Sequence, residues 1–170
     1  PPQAVDLEEA VLSALLLESD AYSLVGDMLE PEAFYKKSHQ KIFHAIKELF
    51  VQDKPVDLLT VTDYLQSTGE LDEVGGMAYL SSLSSKVASA ANVEFHVKIL
   101  VQKYLKRQMI TSCTELQNMA YDDSVDVQDL IDRAQKRVFD MADTNIRKDT
   151  QEASPLLAQA LDNIQKASEN

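Results

Sequence analysis

The chain has 170 residues, with 28 acidic against 16 basic side chains, a formal net charge of −12 and a pI near 4.6. That sign argues against direct phosphate binding, which rests on clustered cations and counterion release. The single cysteine, Cys113, excludes an internal disulfide framework and a cysteine-built zinc site, and no apolar run approaches the roughly 20 residues of a membrane span.

The charge is uneven: residues 1–91 carry 15 acids and 6 bases, residues 92–170 carry 13 and 10. The first part is therefore a poor reader of nucleic acid, and the second is close to neutral. The opening Pro1-Pro2-Gln3 has neither the positive start nor the apolar run of a signal peptide. Without an initiator Met the chain is expected to be a piece of something longer, and its lone free cysteine fits a reducing, intracellular setting.

Helical periodicity recurs along the chain and alternating β-branched runs are missing, so the fold class is all-α. Asp6 followed by Glu9 reads as a capping-box variant opening a helix through Glu18, with Ala10, Val11, Ala14, Leu15 and Leu17 apolar. A short helix over Ala21–Met28 ends before Pro31. The next is expected over Ser38–Val51, with Ile42, Phe43, Ile46, Leu49 and Phe50 spaced three and four apart. Pro55 breaks the chain, Asp57 caps a helix carrying Leu58, Leu59, Val61, Tyr64 and Leu65, and Gly69 supplies its stop. Gly75-Gly76 precedes a short helix over Met77–Leu83.

From Asn92, a good N-cap, no glycine or proline interrupts the chain as far as Tyr121. About 30 helical residues span roughly 45 Å, more than a small globule needs, so the far end is expected to protrude. Asp122-Asp123-Ser124 makes a turn and Asp126 caps a return helix to about Met141, completing an αα-hairpin. Its arms carry facing stripes: Leu105, Met109, Ile110, Cys113 and Leu116 on one, Val127, Leu130, Ile131, Ala134 and Val138 on the other. These stripes are expected to pack between molecules, with simple closure of the two arms on each other as the alternative. Asp143–Ala153 is polar and unpatterned, as a linker would be. Ser154-Pro155 then reads as an N-cap with an N1 proline, starting a helix with Leu156, Leu157, Ala160, Leu161 and Ile164 on one face. So short a helix is marginal alone and calls for a covering partner. The expected architecture is a compact helical head (1–104), a hairpin (105–142), a flexible linker (143–153) and a separate linker helix (154–170).

Candidate chemistry is sparse. The four glycines, Gly26, Gly69, Gly75 and Gly76, begin no GxxxxGK[ST] phosphate loop. His39 and His44 lie five apart and do not share a helix face, and His44 with Glu48 lacks further metal ligands. The histidines, His96 included, are expected to be ordinary surface or half-buried residues. Glu8-Glu9 and Asp72-Glu73 sit where carboxylates serve caps and helix dipoles rather than acid–base work. Cys113 lies on an apolar stripe and reads as packing. Lys103, Lys106 and Arg107, with Lys98 nearby, form a basic helix face that reads as solvated; an acidic partner or a DNA backbone is the functional alternative. No catalytic, cofactor or metal residue is assigned.

Four stretches in order carry a resemblance: LEEAVLSALLLE (Leu7–Glu18), FYKKSHQKIFHAIKEL (Phe34–Leu49), VDLLTVTDYLQSTGELDEVGGMAYLSSL (Val56–Leu83) and SAANVEFHVKILVQKYLKRQMI (Ser89–Ile110). They resemble the N-terminal domain of bacterial replicative DNA helicases of the DnaB type, over about Pro2–Met141, and Ser154–Ser168 is similar to that family's linker helix. Ser13 stands where the family often has Gly, a change that suits a helix interior.

The resemblance implies a collar domain of a hexameric ring, built as a trimer of dimers through the hairpins. Met109, Ile110, Cys113, Leu116, Val127, Leu130, Ile131, Ala134 and Val138 would lie in the dimer interface. It implies recruitment of primase at the replication fork, with a helicase loader as a further partner and only weak or indirect DNA contact. Leu156, Leu157, Ala160, Leu161 and Ile164 would dock on a neighbouring subunit's ATPase domain. That domain, with its ATP and Mg²⁺, is expected beyond Asn170 in a bacterial cytoplasmic protein. The rival reading is a free-standing helical adaptor or helicase-loader-like regulator. A small helical hydrolase lacks any nucleophile–base constellation, and single-strand binding by Lys98–Arg107 would show as salt-dependent affinity.

Overall fold

The computed structural model describes residues 1–86 and 90–169, and the side chains of these except at 146–156. The described residues are helical, with no strand among them, and no helix is long and apolar enough to cross a membrane. The helices are α1 (Val5–Leu17), α2 (Ala21–Val25), α3 (Lys37–Val51), α4 (Leu58–Ser67), α5 (Gly76–Ser85), α6 (Val93–Tyr121) and α7 (Val127–Ser168). Short 3₁₀ turns lie at Gly26–Met28, Pro31–Ala33 and Ala90–Asn92. The chain divides into two compact units, Pro1–Arg107 and Gln108–Asn170.

The first unit is the head. Its core joins Leu12 and Leu15 of α1, Phe43 and Ile46 of α3, Leu65 of α4 and Leu80 of α5, all essentially sealed from water. Val97 and Leu100 of α6 complete it. Tyr22 stacks beside Phe43 at 6.1 Å between ring centroids, and Phe34 tilts against Phe43 at 5.2 Å.

Local chemistry sets the boundaries. Asp57 accepts from the Thr60 backbone N–H at 2.9 Å while the Thr60 hydroxyl accepts from the Asp57 N–H at 2.9 Å, a reciprocal cap on α4. Gly75 (φ +104) and Gly76 (φ +70) occupy the left-handed region that turns the chain into α5. The expected cap at Asp6 is absent: α1 begins at Val5, after Ala4 and without a side-chain cap, so Asp6 lies inside its first turn, and Glu9 bonds to Lys86 instead of closing a capping box.

The second unit holds the rest of α6 and all of α7. Asp122 accepts from the Ser124 N–H at 2.9 Å in the turn, and Asp126 caps α7 by accepting from the Gln128 N–H at 3.0 Å. Glu115 joins the arms, paired with Arg133 at 3.2 Å and Arg137 at 2.7 Å. Exposed pairs of this kind contribute about 0–1 kcal/mol each.

Two boundaries differ from expectation. Leu105 packs on the head core and Arg107 is anchored there, so the head runs to Arg107 rather than residue 104. The backbone of α7 also continues through the expected linker 143–153, and Ser154-Pro155 lies inside that helix rather than starting a new one. Asp143–Ala153 contains no glycine or proline, so nothing in it ends a helix. The side chain of Leu156 lies outside the described residues.

Candidate assembly surfaces

On α7, Val127, Ile131, Ala134, Val138 and Met141 follow a 4-3-4-3 spacing, the repeat of a coiled-coil seam. On α6, Met109, Cys113, Leu116 and Ala120 follow the same 4-3-4 rule. Leu116, Leu130 and Ala134 are half-buried, whereas Met109, Ile110, Cys113, Val127, Ile131 and Val138 are exposed. Ile110 keeps 53% of its surface open, Ile131 45% and Val138 56%. The nine residues expected at an interface thus fall into an inner set, partly covered within the second unit, and an outer set left in water. Tyr121 and Phe139 are also exposed and were missed, since neither falls on the 3–4 repeat. A cleft of about 650 Å³ opens beside the turn, lined by Met119, Ser124, Val125, Asp129, Asp132, Arg133 and Lys136. Further along α7, Leu157, Ala160, Leu161 and Ile164 are all exposed.

The head holds a polar cluster that the sequence reading assigned otherwise. Glu8 and His39, expected at a cap and near the surface, are both fully buried. Glu8 Oε1 meets His39 Nδ1 at 2.8 Å and accepts from the Lys36 N–H at 3.3 Å, and Glu8 Oε2 accepts from the Tyr35 N–H at 2.7 Å. A carboxylate from α1 therefore serves the backbone donors ahead of α3. The other ring nitrogen of His39 meets the Tyr79 hydroxyl at 2.5 Å, and that hydroxyl lies 3.5 Å from Glu9 Oε1. Glu9 pairs with Lys86, whose side-chain bond holds its carboxyl below the ordinary range despite partial burial. Burial first, and Glu9 second, push the Tyr79 phenol up to about 12.

The signal was available. Glu8 precedes Leu12 and Leu15 by four and seven residues, and His39 precedes Ile42, Phe43 and Ile46 by three, four and seven, so both lie on core faces.

Arg107 is likewise an anchor rather than part of a solvated basic face. It donates to the Pro2 carbonyl at 2.8 Å and the Ala33 carbonyl at 2.9 Å, and stacks on the rings of Tyr35 and Tyr104. Burial pulls its guanidinium below the ordinary value, with Glu8 acting in the opposite sense. Among the described residues no group of acids, histidines and cysteine could hold a metal ion.

The described residues thus form an all-helical protein, with a compact head and an α6–α7 hairpin that leaves apolar residues open to water. Residues 1–102 match the family of the DnaB-like helicase N terminal domain, and the chain belongs to that family. It is 45% identical over 165 residues to the replicative DNA helicase DnaB of Rhodothermus marinus, covering 97% of this chain and 17% of that protein. It is 37% identical over 166 residues to the replicative DNA helicase DnaC of Bacillus subtilis, covering 98% of this chain and 37% of that protein. The chain thus spans well under half the length of these relatives. The crystal structure of the N-terminal domain of DnaB helicase from Mycobacterium tuberculosis is similar with a TM-score of 0.77 and 35% identity, over 82% of this chain and 99% of that one. A DnaB-like replicative helicase whose structure was described with its interactions with primase shares the fold, at a TM-score of 0.64 and 24% identity over 83% of this chain and 31% of that one.

Proposed function

We propose that this chain is the assembly domain of a hexameric replicative DNA helicase, pairing copies through α6 and α7 and holding primase close to the unwinding motor. The observation that carries the reading is the pair of coiled-coil-spaced seams whose outer residues, Met109, Cys113, Val127, Ile131 and Val138, stay in water in a single chain, with Ile110 open beside them. Apolar stripes at that spacing are covered by helices of a partner. Isologous pairing of two such hairpins gives a dimer, and three dimers close a ring. Primase is proposed as the second partner, supported by the DnaB-like helicase described with primase; a loader is a third.

The face of Leu157, Leu161 and Ile164 supports docking on the ATPase domain of a neighbouring subunit. No residue here matches a nucleotide loop, so ATP and Mg²⁺ are assigned to that domain, and catalysis with them. A charge of −12 fits indirect rather than direct DNA contact. The setting that goes with this role is the replication fork in the bacterial cytoplasm.

The test is solution mass by size-exclusion chromatography with light scattering across a wide concentration range. Two or six times 19.0 kDa is expected; a monomer at every concentration overturns pairing by the hairpin alone. In the intact helicase, Leu161→Asp is expected to loosen the ring, and an unchanged hexamer mass overturns the docking role.

A further inference from the structure

The assembly reading uses α6 and α7 and leaves a cleft on the head without a role. Between the end of α3, the loop that follows it and the outer face of α4 lies a space of about 430 Å³, lined by Leu49, Pro55, Leu59 and Tyr64 together with Lys54 and Asp63. We propose that this cleft is a docking groove for a basic amphipathic helix of a partner protein, with apolar side chains entering beside Leu59 and lysines or arginines meeting Asp63 and Glu48.

The apolar half of the argument starts from α4. Val61 and Leu65 turn into the head core, whereas Leu59 and Asp63, four residues apart, share another face. Leu59 keeps 68% of its surface in water. A single exposed leucine is ordinary, but this one stands in a concavity with buried Leu49, Pro55 and half-buried Tyr64. The volume lies in the range of about 300–1,000 Å³ usual for binding clefts. Ten residues of α4 run for about 15 Å, room for two turns of a second helix with anchors three or four residues apart.

The charge decides what kind of helix fits. Asp63 lines the cleft, and burial first, then the carboxylates of Glu48 and Glu70, push the Tyr64 phenol up. Glu70 is answered by Lys41 at 3.4 Å. Among the described residues Glu48 and Asp63 have no cationic partner, and Lys54 in the same cleft pairs with neither. An apolar cleft beside two unanswered carboxylates selects a cationic occupant. A second head would bring the same acids to the contact, and like charges facing each other oppose pairing.

The probe is a labelled helical peptide of about 15 residues with leucines four apart and lysines beside them, titrated with the chain and followed by fluorescence anisotropy. The parent chain is expected to bind it, and the same peptide with glutamates for lysines should not bind. Leu59→Ser should weaken binding about 5- to 30-fold, the share of a leucine's burial that its open 68% represents. Asp63→Lys should weaken it about tenfold. Asp123→Lys, which changes the net charge equally but lies in the turn before α7, should leave the constant unchanged. Binding that survives both groove substitutions, a glutamate peptide held as tightly, or no binding at all overturns the proposal. A change in solution mass on Leu59→Ser assigns the cleft to a second copy and overturns it as well. Should either groove variant fail to fold, amide shifts of the parent chain decide: peptide-induced shifts centred on residues 49–67 support the groove, and shifts centred elsewhere overturn it. Each of these results leaves hairpin pairing to be judged by its own variants, since no residue of α6 or α7 lines the cleft.

Discussion

Ile131 is the sharpest probe of the hairpin seam, because it is 45% exposed and so has surface left for a partner to cover. Full burial of an isoleucine contributes about 1.5–3 kcal/mol. Covering the open 45% is therefore worth about 0.7–1.4 kcal/mol for each copy. An isologous pair uses the residue twice, which brings the contribution to about 1.5–3 kcal/mol, or roughly 10- to 100-fold in the dissociation constant. Ile131→Ala is expected to weaken self-association by that factor. Ile131→Asp should abolish it at concentrations where the parent chain pairs, since a carboxylate in a closed seam must also be dehydrated. Sedimentation equilibrium reads the constant directly. The rest of the side chain is already covered within a single chain, so the fold should also lose about 0.8–1.6 kcal/mol on the same scale, which urea unfolding reads separately. An unchanged dissociation constant for Ile131→Asp would refute both the seam and the arithmetic.

Three further outcomes concern the head. Glu8→Ala strips the acceptor from the Tyr35 and Lys36 N–H groups and from His39, and should cost about 3–5 kcal/mol in urea unfolding; a loss below about 1 kcal/mol would mean that water replaces the carboxylate freely. Asp57→Ala removes the cap on α4 and should cost about 1 kcal/mol, with Asp57→Asn retaining most of it. Glu9 is ionised more readily folded than unfolded, so its pairing with Lys86 adds stability above the ordinary carboxylate range and loses it as pH falls through the lower folded value. Melting temperature followed down from neutral pH should fall less steeply in Lys86→Ala than in the parent chain, and parallel curves would refute that role.

Helix positions were legible at most stops and starts that are local events, though not at Asp6 or at Ser154-Pro155. Asp57, Gly69, Gly75 and Asp126 act within their own turn, and the structure places them at element boundaries. The cluster around Glu8 was not read that way, because its partners come from residues 27 to 31 positions away. A carboxylate near a helix start satisfies the rule for a cap equally well whether it serves its own helix or another. What separates the two is the face it occupies, and Glu8 lies in line with Leu12 and Leu15. Arg107 is a similar case. Its spacing from Lys103 and Lys106 groups it with a solvated face, but its carbonyl partners at Pro2 and Ala33 are distant in sequence. Residues 143–153 illustrate the opposite limit: polar composition was read as a linker, although without a breaker a helix already nucleated at Asp126 can propagate through them.

The same 3–4 spacing thus leads to two outcomes in one chain. In α3 it buries Ile42, Phe43 and Ile46 completely, because α1 and α4 both pack on that helix. In the second unit only two arms are available, and each can cover a single stripe of the other. Leu116, Leu130 and Ala134 become half-buried in that way, and the remaining apolar positions have no third helix to cover them. A stripe wider than one neighbour can cover is uneconomical for a lone hairpin, where every open methyl forgoes burial and invites association. It becomes useful once a second hairpin supplies the missing helices and turns two arms into a four-helix layer. Periodicity alone does not distinguish a core from an interface. The number of helices within reach of the stripe does, and for this hairpin the proposed second copy is what would raise it.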